Sequence, residues 1–463
     1  MKADEPLACS FRDPSGFLFT RQGVLYRQVN RGYREDYDFL MASGLYEALA
    51  AEGLLIGHKE VDVPPPAPEI AYKVLQPQVV QFVSYPYEWC FSQWKDAALV
   101  TLAIQRKALD RGMSLKDSSA FNIQFHNGRW TLIDSLSLER HEPGRPWVAY
   151  RQFCQHFLAP LALMSRRDAR LGQLLRIHLD GVPLDLAARL LPRRTKLSPG
   201  LLAHIHLHAR CQRRHADRPA SAQRARQGRM GALALRGLLD SLDKAVRKLT
   251  WQPAGTEWAD YYSDTSYSQA AMDHKATLVA LFLDACGAGT VWDLGANTGR
   301  FSRLASQRKM PTVAFDVDPA GVERNYLQAR RDGETLLLPL LTDLTNPSPA
   351  QGWEHDERMS LLQRGPAHTA MALALVHHLA IGNNLPLERI AGFLARVARR
   401  LIIEFVPKED PQVQRLLASR EDVFPGYHRS GFEAAFERHF VVDRSAAIHD
   451  SPRRLYLMTA RQG

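Results

Sequence analysis

The chain has little of what would mark a secreted or membrane protein. Its five cysteines are scattered and form no Cys-x-x-Cys pair, which predicts reduced thiols rather than a disulfide framework or a zinc site. No stretch approaches the ~18 uninterrupted apolar residues of a membrane span. The N-terminus carries acids early and lacks the apolar core of a secretory signal. With 45% hydrophobic and 23% charged residues, the composition predicts a cytoplasmic globular protein.

The net charge of +10 comes mostly from one segment. Residues 204–250 contain eleven Lys or Arg and three Asp, whereas the rest of the chain is nearly neutral. An arginine-rich run of this kind can bind nucleic acid through its phosphates. No stacking aromatics of a known RNA-binding module accompany it, so a solvated linker is the favoured interpretation.

Length and patterning divide the chain into three parts. At 463 residues it is long enough for two or three domains. Residues 1–195 mix extended and helical patterns and predict an α+β accessory domain, and 196–250 predict a basic helical linker that ends in an amphipathic helix. In residues 251–463, apolar strands alternate with helices. This alternation predicts an α/β fold with a parallel, doubly wound sheet, closed by antiparallel strands.

A glycine-rich turn connects the first strand of the C-terminal part to a helix. Its sequence is Asp293-Leu294-Gly295-Ala296-Asn297-Thr298-Gly299, and its glycines permit a tight turn and a close approach of ligand to backbone. The amides that begin the following helix attract anionic groups. Asn297 stands where the dinucleotide fingerprint Gly-x-Gly-x-x-Gly has its middle glycine, which argues against an enzyme that transfers hydride.

Two carboxylates follow at the ends of the next predicted strands. Asp316 comes seventeen residues after Gly299, in VAFDVDP, where a carboxylate can accept both hydroxyls of a ribose. Asp343 ends the third strand, in LLTDL, where it can meet the amino group of an adenine. The turn and the two acids, in this order, predict a ligand that contains a nucleoside.

These motifs resemble those of class I S-adenosylmethionine (SAM) dependent methyltransferases. The resemblance covers about 250–463 and rests on DLGANTGRFS, AFDVDP, LLTDLTNPSP, LALVHHL, LIIEFVP and RRLYLMTA. It implies a Rossmann-like sheet with SAM as cofactor, and methyl transfer to an acceptor that the sequence leaves open. The whole chain is also similar to a bacterial group, some of whose members carry names related to nodulation.

The resemblance implies roles for individual positions. The methionine part of SAM is expected against Asp293, Gly295, Asn297 and Gly299, the ribose against Asp316, and the adenine against Asp343 and Leu344. Upstream, aromatic and basic residues stand where such enzymes close a lid over the cofactor: Trp258, Tyr262, Tyr267 and Lys275. Ordinary aromatic packing is the alternative for these four.

Methyl transfer asks the protein mainly to align the acceptor and exclude water, because the sulfonium is already activated. A base is needed only where the acceptor loses a proton. The candidates for that role are His377 and His378 after the fourth strand, with a structural role as the alternative. Weaker candidates, expected near the mouth of the cleft, are Glu404, Lys408 and Asp410. Zinc binding by the two histidines is not expected, since no further ligand cluster lies near them in the sequence.

The N-terminal part contains a second motif. Asp117 and Asn122 lie five residues apart and Asp134 follows twelve residues later. This spacing resembles the catalytic loop and the metal-binding aspartate of protein kinases and related phosphotransferases. In that chemistry, Asp117 would orient a hydroxyl, and Asn122 with Asp134 would hold magnesium.

The kinase pattern is incomplete. No glycine-rich phosphate loop occurs between Phe17 and Arg27, and Arg27 stands where a strand lysine is expected, with Glu47 as its predicted partner. Arginine does not substitute for lysine at such a site. The sequence therefore favours a SAM-dependent methyltransferase with an accessory domain. The alternatives are a kinase-like phosphotransferase in the N-terminal half and an RNA-binding RNA methyltransferase.

Overall fold

The fold is described from a computed structural model of the chain, which describes residues 6–215, 229–253, 267–418 and 421–461. The chain forms two compact units. The first consists of Met1–Gln252 with Gly352–Arg358, and the second of Pro253–Gln351 with Met359–Gly463. Among the helices of the described ranges, none has the length and apolar character that crossing a membrane requires.

The first unit begins with a four-stranded antiparallel sheet of order β1-β2-β4-β3. Its strands are β1 (Gly16–Arg21), β2 (Val24–Asn30), β3 (His58–Glu60) and β4 (Ala71–Pro77). Helices α1 (Arg34–Ala42) and α2 (Leu45–Ala51) connect β2 to β3. Because Val29, Tyr37 and Leu75 share one buried cluster, α1 is anchored to the sheet by apolar contact.

A long helix, α3 (Phe91–Asp110), is central to the rest of this unit and buries Trp94, Ala98 and Leu102. Two short antiparallel pairs follow it: β5 (Met113–Leu115) with β8 (Leu138–Arg140), and β6 (Ile123–His126) with β7 (Arg129–Leu132). The loops between these strands carry the Asp117, Asn122 and Asp134 motif. This part of the fold therefore brings the three side chains together.

The first unit continues as a series of helices. They are α4 (Tyr150–Phe153), α5 (Ala159–Arg166), α6 (Leu174–Ile177), α7 (Leu184–Leu190), α8 (Pro199–Leu201), α9 (His208–His215) and α10 (Ala232–Arg247). Helix α10 packs on α3, where Lys95 Nζ donates to the carbonyls of Arg247 and Leu249, both at 2.9 Å. The described part of 196–250 is thus helical and belongs to the first unit. Much of its arginine-rich run, 216–228, lies outside the described residues.

The second unit is built on a seven-stranded sheet of order β11-β10-β9-β12-β13-β15-β14. Its strands are β9 (Val291–Leu294), β10 (Thr312–Asp316), β11 (Leu337–Leu341), β12 (Ala367–Ala372), β13 (Ala398–Phe405), β14 (Phe440–Ala447) and β15 (Arg454–Ala460). The first five strands in this order are parallel and the last two antiparallel. This arrangement confirms the prediction of a parallel sheet with an antiparallel end.

Helices cover the second sheet: α11 (Gln269–Cys286), α12 (Ser302–Ser306), α13 (Pro319–Arg331), α14 (Leu387–Val397), α15 (Pro411–Leu417) and α16 (Arg429–Glu437). Helix α11 buries Val279, Phe282 and Leu283 in one cluster with Ile402 and Leu457 of the sheet. The strand order reverses at β9, because β10 and β11 lie on one side of it and β12 on the other. In open α/β sheets, ligands bind beyond the carboxyl ends of the strands at such a reversal.

Candidate functional site

A cavity of about 330 Å³ opens in the second unit beyond the carboxyl ends of β9, β10 and β12. Its lining includes most of the predicted site residues: Tyr267, Lys275, Asp293, Gly295, Asn297, Asp316, Asp343, Leu344 and His378. Gly299 and His377 are not part of the lining. Trp258 and Tyr262 lie outside the described residues.

The turn after β9 depends on three residues with positive φ, namely Gly295 (79°), Asn297 (50°) and Gly299 (78°). A Cβ at Gly299 would lie 2.4 Å from the side chain of Asn325 in α13, so this glycine permits the turn to pack closely against that helix. A Cβ at Gly295 would lie 3.3 Å from Leu375, which lines the cavity. Gly295 therefore lies at the cavity wall, whereas Gly299 lets the turn pack against α13 behind that wall.

Asp316 ends β10 and is fixed by two backbone amides. Its Oδ2 accepts from the N–H of Asn297 at 2.6 Å, and its Oδ1 from the N–H of Asp318 at 2.8 Å. Burial raises the pKa of Asp316 to about 6, although both amide bonds act in the opposite direction. Each carboxylate oxygen retains capacity for a further hydrogen bond, so a ligand with two adjacent hydroxyls can be accepted here.

Asp293, in β9, is a second carboxylate on the cavity wall. It is buried, and its Oδ2 accepts a hydrogen bond from Ser302 Oγ at 2.6 Å. Burial raises the pKa of Asp293 to about 7, and the charge of Asp316 contributes in the same direction. Asp293 therefore changes its charge near neutral pH, which is typical of groups at functional sites.

Asp343 and Leu344 line the cavity beyond the end of β11. The carboxylate of Asp343 is exposed, and its Oδ1 accepts from both the backbone N–H and the hydroxyl of Thr345, at 2.8 and 2.6 Å. Asp343 thus stabilises its own loop. Asp343 is the most exposed of the three carboxylates, so it remains more hydrated than Asp293 or Asp316 when a ligand contacts it.

The structure separates the two histidines. His378 lines the cavity, whereas His377 is fully buried outside the lining, with the two ring centroids 4.1 Å apart. Burial lowers the pKa of His378 to about 4, and the charge of Arg453 contributes. Burial also lowers the pKa of His377 well below its usual value. Both imidazoles are therefore neutral at pH 7, and of the two, His378 is the one placed to touch a ligand.

Tyr267 and Lys275 line the cavity and are held from behind by Glu404 of β13. Lys275 Nζ lies 2.5 Å from Glu404 Oε2, and the hydroxyl of Tyr267 donates to Glu404 Oε1. Lys275 is 3% exposed and Glu404 is 0% exposed. The two residues predicted as part of a lid are thus tied to a buried carboxylate.

Arg453 completes this network, although no sequence motif pointed to it. Its Nε and Nη2 donate to the two oxygens of Asp410 at 2.7 and 3.0 Å, and its Nη1 lies 3.3 Å from Glu404 Oε1. Glu404 and Asp410 were expected near the cleft mouth; that expectation is wrong, because both are buried and neither lines the cavity. The one signal for Arg453 in the sequence is its position just before an apolar strand.

Lys408, the third residue expected at the cleft mouth, also lies apart from the cavity lining. Its Nζ pairs with the carboxylate of Asp422 at 2.7 Å. Lys408 therefore contributes to a partly exposed ion pair near the surface, where such pairs stabilise proteins little.

In the first unit, Asp117, Asn122 and Asp134 lie close together, but Arg27 has a different partner from the one predicted. Asn122 Nδ2 donates to Asp117 Oδ2 at 3.1 Å. Arg27 Nη1 lies 2.5 Å from Asp134 Oδ1, so its partner is Asp134 and not the exposed Glu47. Ser137 Oγ donates to Asp134 Oδ2 at 2.7 Å. Because a guanidinium and a hydroxyl occupy the Asp134 carboxylate, these residues do not fit a magnesium ion.

Arg27 keeps the Asp134 carboxylate charged despite its burial. Burial by itself raises the pKa of Asp134, but the charge of Arg27 and its hydrogen bonds outweigh burial, and the net pKa is lowered. Among the residues that the structure describes, no three His, Cys, Asp or Glu side chains converge as a metal site. In this structure the Asp134 carboxylate is held by Arg27 and Ser137.

Replacing Arg27 with methionine is expected to create a cation site that the wild type lacks. Loss of the guanidinium leaves the Asp134 carboxylate free to attract a divalent ion, and we expect Mn²⁺ affinity to rise at least about tenfold. Calorimetric titration with Mn²⁺, and with ATP and Mg²⁺, measures this. Arg27→Lys, which keeps the positive charge, is the matched control and should gain nothing. Tight Mg²⁺–ATP binding by the wild type would contradict this assignment.

The nodulation protein NoeA of Rhizobium meliloti (strain 1021) is 35% identical over 457 residues, which cover 97% of this chain and 95% of that protein. No family model matches the chain.

Among solved structures, the PH0226 protein of Pyrococcus horikoshii OT3 matches with a TM-score of 0.33 and 15% identity, over 45% of this chain and 100% of that one. Magnesium protoporphyrin IX methyltransferase (ChlM) of Synechocystis PCC 6803, with bound SAM, matches with a TM-score of 0.32 and 17% identity, over 44% of this chain and 89% of that one. Both TM-scores lie below 0.5, so the full-length relative, and not these structures, defines the family.

Proposed function

The chain belongs to the family of the nodulation protein NoeA, and on that premise we propose that it is a methyltransferase that uses SAM as its cofactor. The reaction is inferred from the residues of the second unit and not from the family name. The observation that carries the proposal is the cavity at the strand-order reversal, where Asp293 near the end of β9 and Asp316 at the end of β10 lie beside the glycine turn.

The donor set of the cavity fits SAM. Asp316, held by the amides of Asn297 and Asp318, would accept the two ribose hydroxyls. Asp293, the least exposed carboxylate of the lining at 2%, would attract the amino group of the methionine part through its negative charge. Asp343 and Leu344 would flank the adenine. A carboxylate beside a glycine turn, with a second one for the ribose, is the recognition chemistry that a nucleoside with a cationic tail requires.

SAM supplies a methyl group that is already activated by its sulfonium, so the protein's task is alignment and exclusion of water. Leu373, Leu375 and Leu379 give one side of the cavity an apolar wall. His378 offers a neutral imidazole on the same side and can take a proton from an acceptor that loses one. His377, which does not reach the cavity, would act on a ligand only through its neighbour.

Calorimetric titration of the wild-type protein with SAM tests the proposal, and its pH dependence tests the role of Asp293. We expect saturable binding that is about tenfold weaker at pH 6 than at pH 8. The sign follows from a pKa of about 7: above it Asp293 is charged and attracts the cationic ligand, whereas at pH 6 only about a tenth of the molecules carry that charge.

Two results would count against this assignment. Absence of SAM binding at either pH would show that the proposed function is wrong. Equal affinity at pH 6 and pH 8 would show that Asp293 does not hold a cationic group. Asp293→Asn is the matched variant, since it keeps the shape of the side chain. Its SAM affinity is expected to be low and to change by no more than about twofold between pH 6 and pH 8, because only Asp316, with a pKa of about 6, still titrates there.

A further inference from the structure

The wall of the cavity formed by Tyr267 and Lys275 is backed by four buried charges. Lys275 and Arg453 are the cations and Glu404 and Asp410 the anions, and each is at most 3% exposed. Burial lowers the pKa of Lys275, but the charge of Glu404 and its contact with Nζ oppose this and favour the charged ammonium. Lys275 Nζ pairs with Glu404 at 2.5 Å, and Arg453 bridges Glu404 and Asp410. Two cations and two anions give the network no net charge, and because each side chain is at most 3% exposed, water screens these charges little.

Within this network, Lys275 is the charge closest to a ligand. Among the described residues that line the cavity it is the one cation, and its Nζ lies 4.7 Å from the ring centroid of Phe301 and 5.0 Å from that of Tyr267, both of which also line the cavity. Glu404 and Arg453 stand behind it. A change in the charge of this pair would therefore act on a ligand at short range through a medium of low polarity.

The ionisation of Glu404 is secured from several sides. Burial raises the pKa of Glu404, but the charges of Lys275 and Arg453 and the hydroxyl of Tyr267 outweigh it, so the net pKa is lowered. Removing Lys275 by itself would leave Arg453 and Tyr267 against the carboxylate. The carboxylate would then stay charged, and the wall would carry one net negative charge.

We propose that the balance between Lys275 and Glu404 sets the preference of the cavity for the cationic cofactor SAM over its uncharged-sulfur product, S-adenosylhomocysteine (SAH). This inference rests on the proposed function. A neutral wall neither repels a cation nor holds it more tightly than the product. Weak attraction for the cation is useful for catalysis. The positive charge on sulfur disperses in the transition state, and tighter binding of the ground state than of the transition state does not accelerate the reaction.

The test compares the Kd values for SAM and SAH in the wild type and in Lys275→Met by calorimetry at pH 7. Both ligands share the adenosine, amino and carboxylate groups, so their ratio isolates the charge on sulfur. We expect Kd(SAM)/Kd(SAH) to fall about tenfold in Lys275→Met. The uncompensated negative charge of Glu404 then attracts the positive sulfur of SAM and not the neutral sulfur of SAH, and an effective dielectric constant between those of water and a dry protein interior gives an effect of this size. An unchanged ratio, with both ligands bound, would overturn the inference.

The double variant Lys275→Met with Glu404→Gln is the matched control. It keeps the altered packing at position 275 but removes the negative charge of Glu404. Its Kd(SAM)/Kd(SAH) ratio should therefore return close to the wild-type value. A ratio that stays low would assign the effect to packing and overturn the inference. If Lys275→Met does not fold, Glu404→Gln takes its place. This variant leaves one net positive charge in the network, so Kd(SAM)/Kd(SAH) is expected to rise. An unchanged ratio would overturn the inference. Failure of the wild type to bind either ligand would instead refute the proposed function.

Discussion

Asp316→Ala is expected to weaken SAM binding at least about 100-fold. The carboxylate lies at the end of β10 with each oxygen positioned by one backbone amide, from Asn297 and Asp318, so it is preorganised for a pair of ligand hydroxyls. A hydrogen bond to a charged group contributes about 1.5–3 kcal/mol. Loss of two such bonds corresponds to about two orders of magnitude or more in Kd. Calorimetric titration at pH 8, where Asp316 is ionised, measures the change.

Asp343→Asn is the matched control for Asp316. Asp343 lines the same cavity at the end of the next strand, but it is exposed and already accepts two hydrogen bonds from Thr345. Its replacement is therefore expected to weaken SAM binding less than about tenfold. A larger effect at Asp343 than at Asp316 would mean that the nucleoside lies differently in the cavity. Circular dichroism of both variants establishes that the fold is retained.

Arg453→Met is expected to lower the free energy of unfolding of the second unit by about 3–5 kcal/mol, the range found when one partner of a buried ion pair is removed. Arg453 is 1% exposed and makes both side-chain contacts to the Asp410 carboxylate, at 2.7 and 3.0 Å. Arg453→Met removes the cation that contacts the buried Asp410 carboxylate. Glu404 retains Lys275 and Tyr267 and is affected less.

The neighbouring Arg454 provides the control for this prediction. Arg454 is partly exposed, and its Nη1 donates to Ser445 Oγ at 2.9 Å, so Arg454→Met should change stability by less than about 1 kcal/mol. Because the chain has two units, a single unfolding midpoint is not sufficient. Hydrogen exchange in urea, followed on peptides from β13 and β15, reports on the second unit directly. Equal protection in the two variants would contradict a structural role for Arg453.

What the sequence by itself determined is local. The glycine turn, the acids at the carboxyl ends of β9 and β10, and the alternation of strands and helices are each contained in a few residues or in a regular repeat. Strand periodicity and turn chemistry fix which side chains lie at the ends of strands, and the carboxyl ends of parallel strands meet at one edge. For this reason the sequence by itself predicts that Asp293, Gly295, Asn297 and Asp316 lie close together, and all four line one cavity.

What only the tertiary structure decided involves residues far apart in the chain. Tyr267 and Glu404 are separated by 137 residues, and Arg27 and Asp134 by 107. No local pattern states that Arg453 lies behind Lys275, or that Arg27 pairs with Asp134 in place of Glu47. Such pairs form because a buried charge must find a partner of opposite sign wherever the packing brings one. The same packing decided that His378 reaches the cavity and His377 does not, since successive residues where a helical turn begins point in different directions.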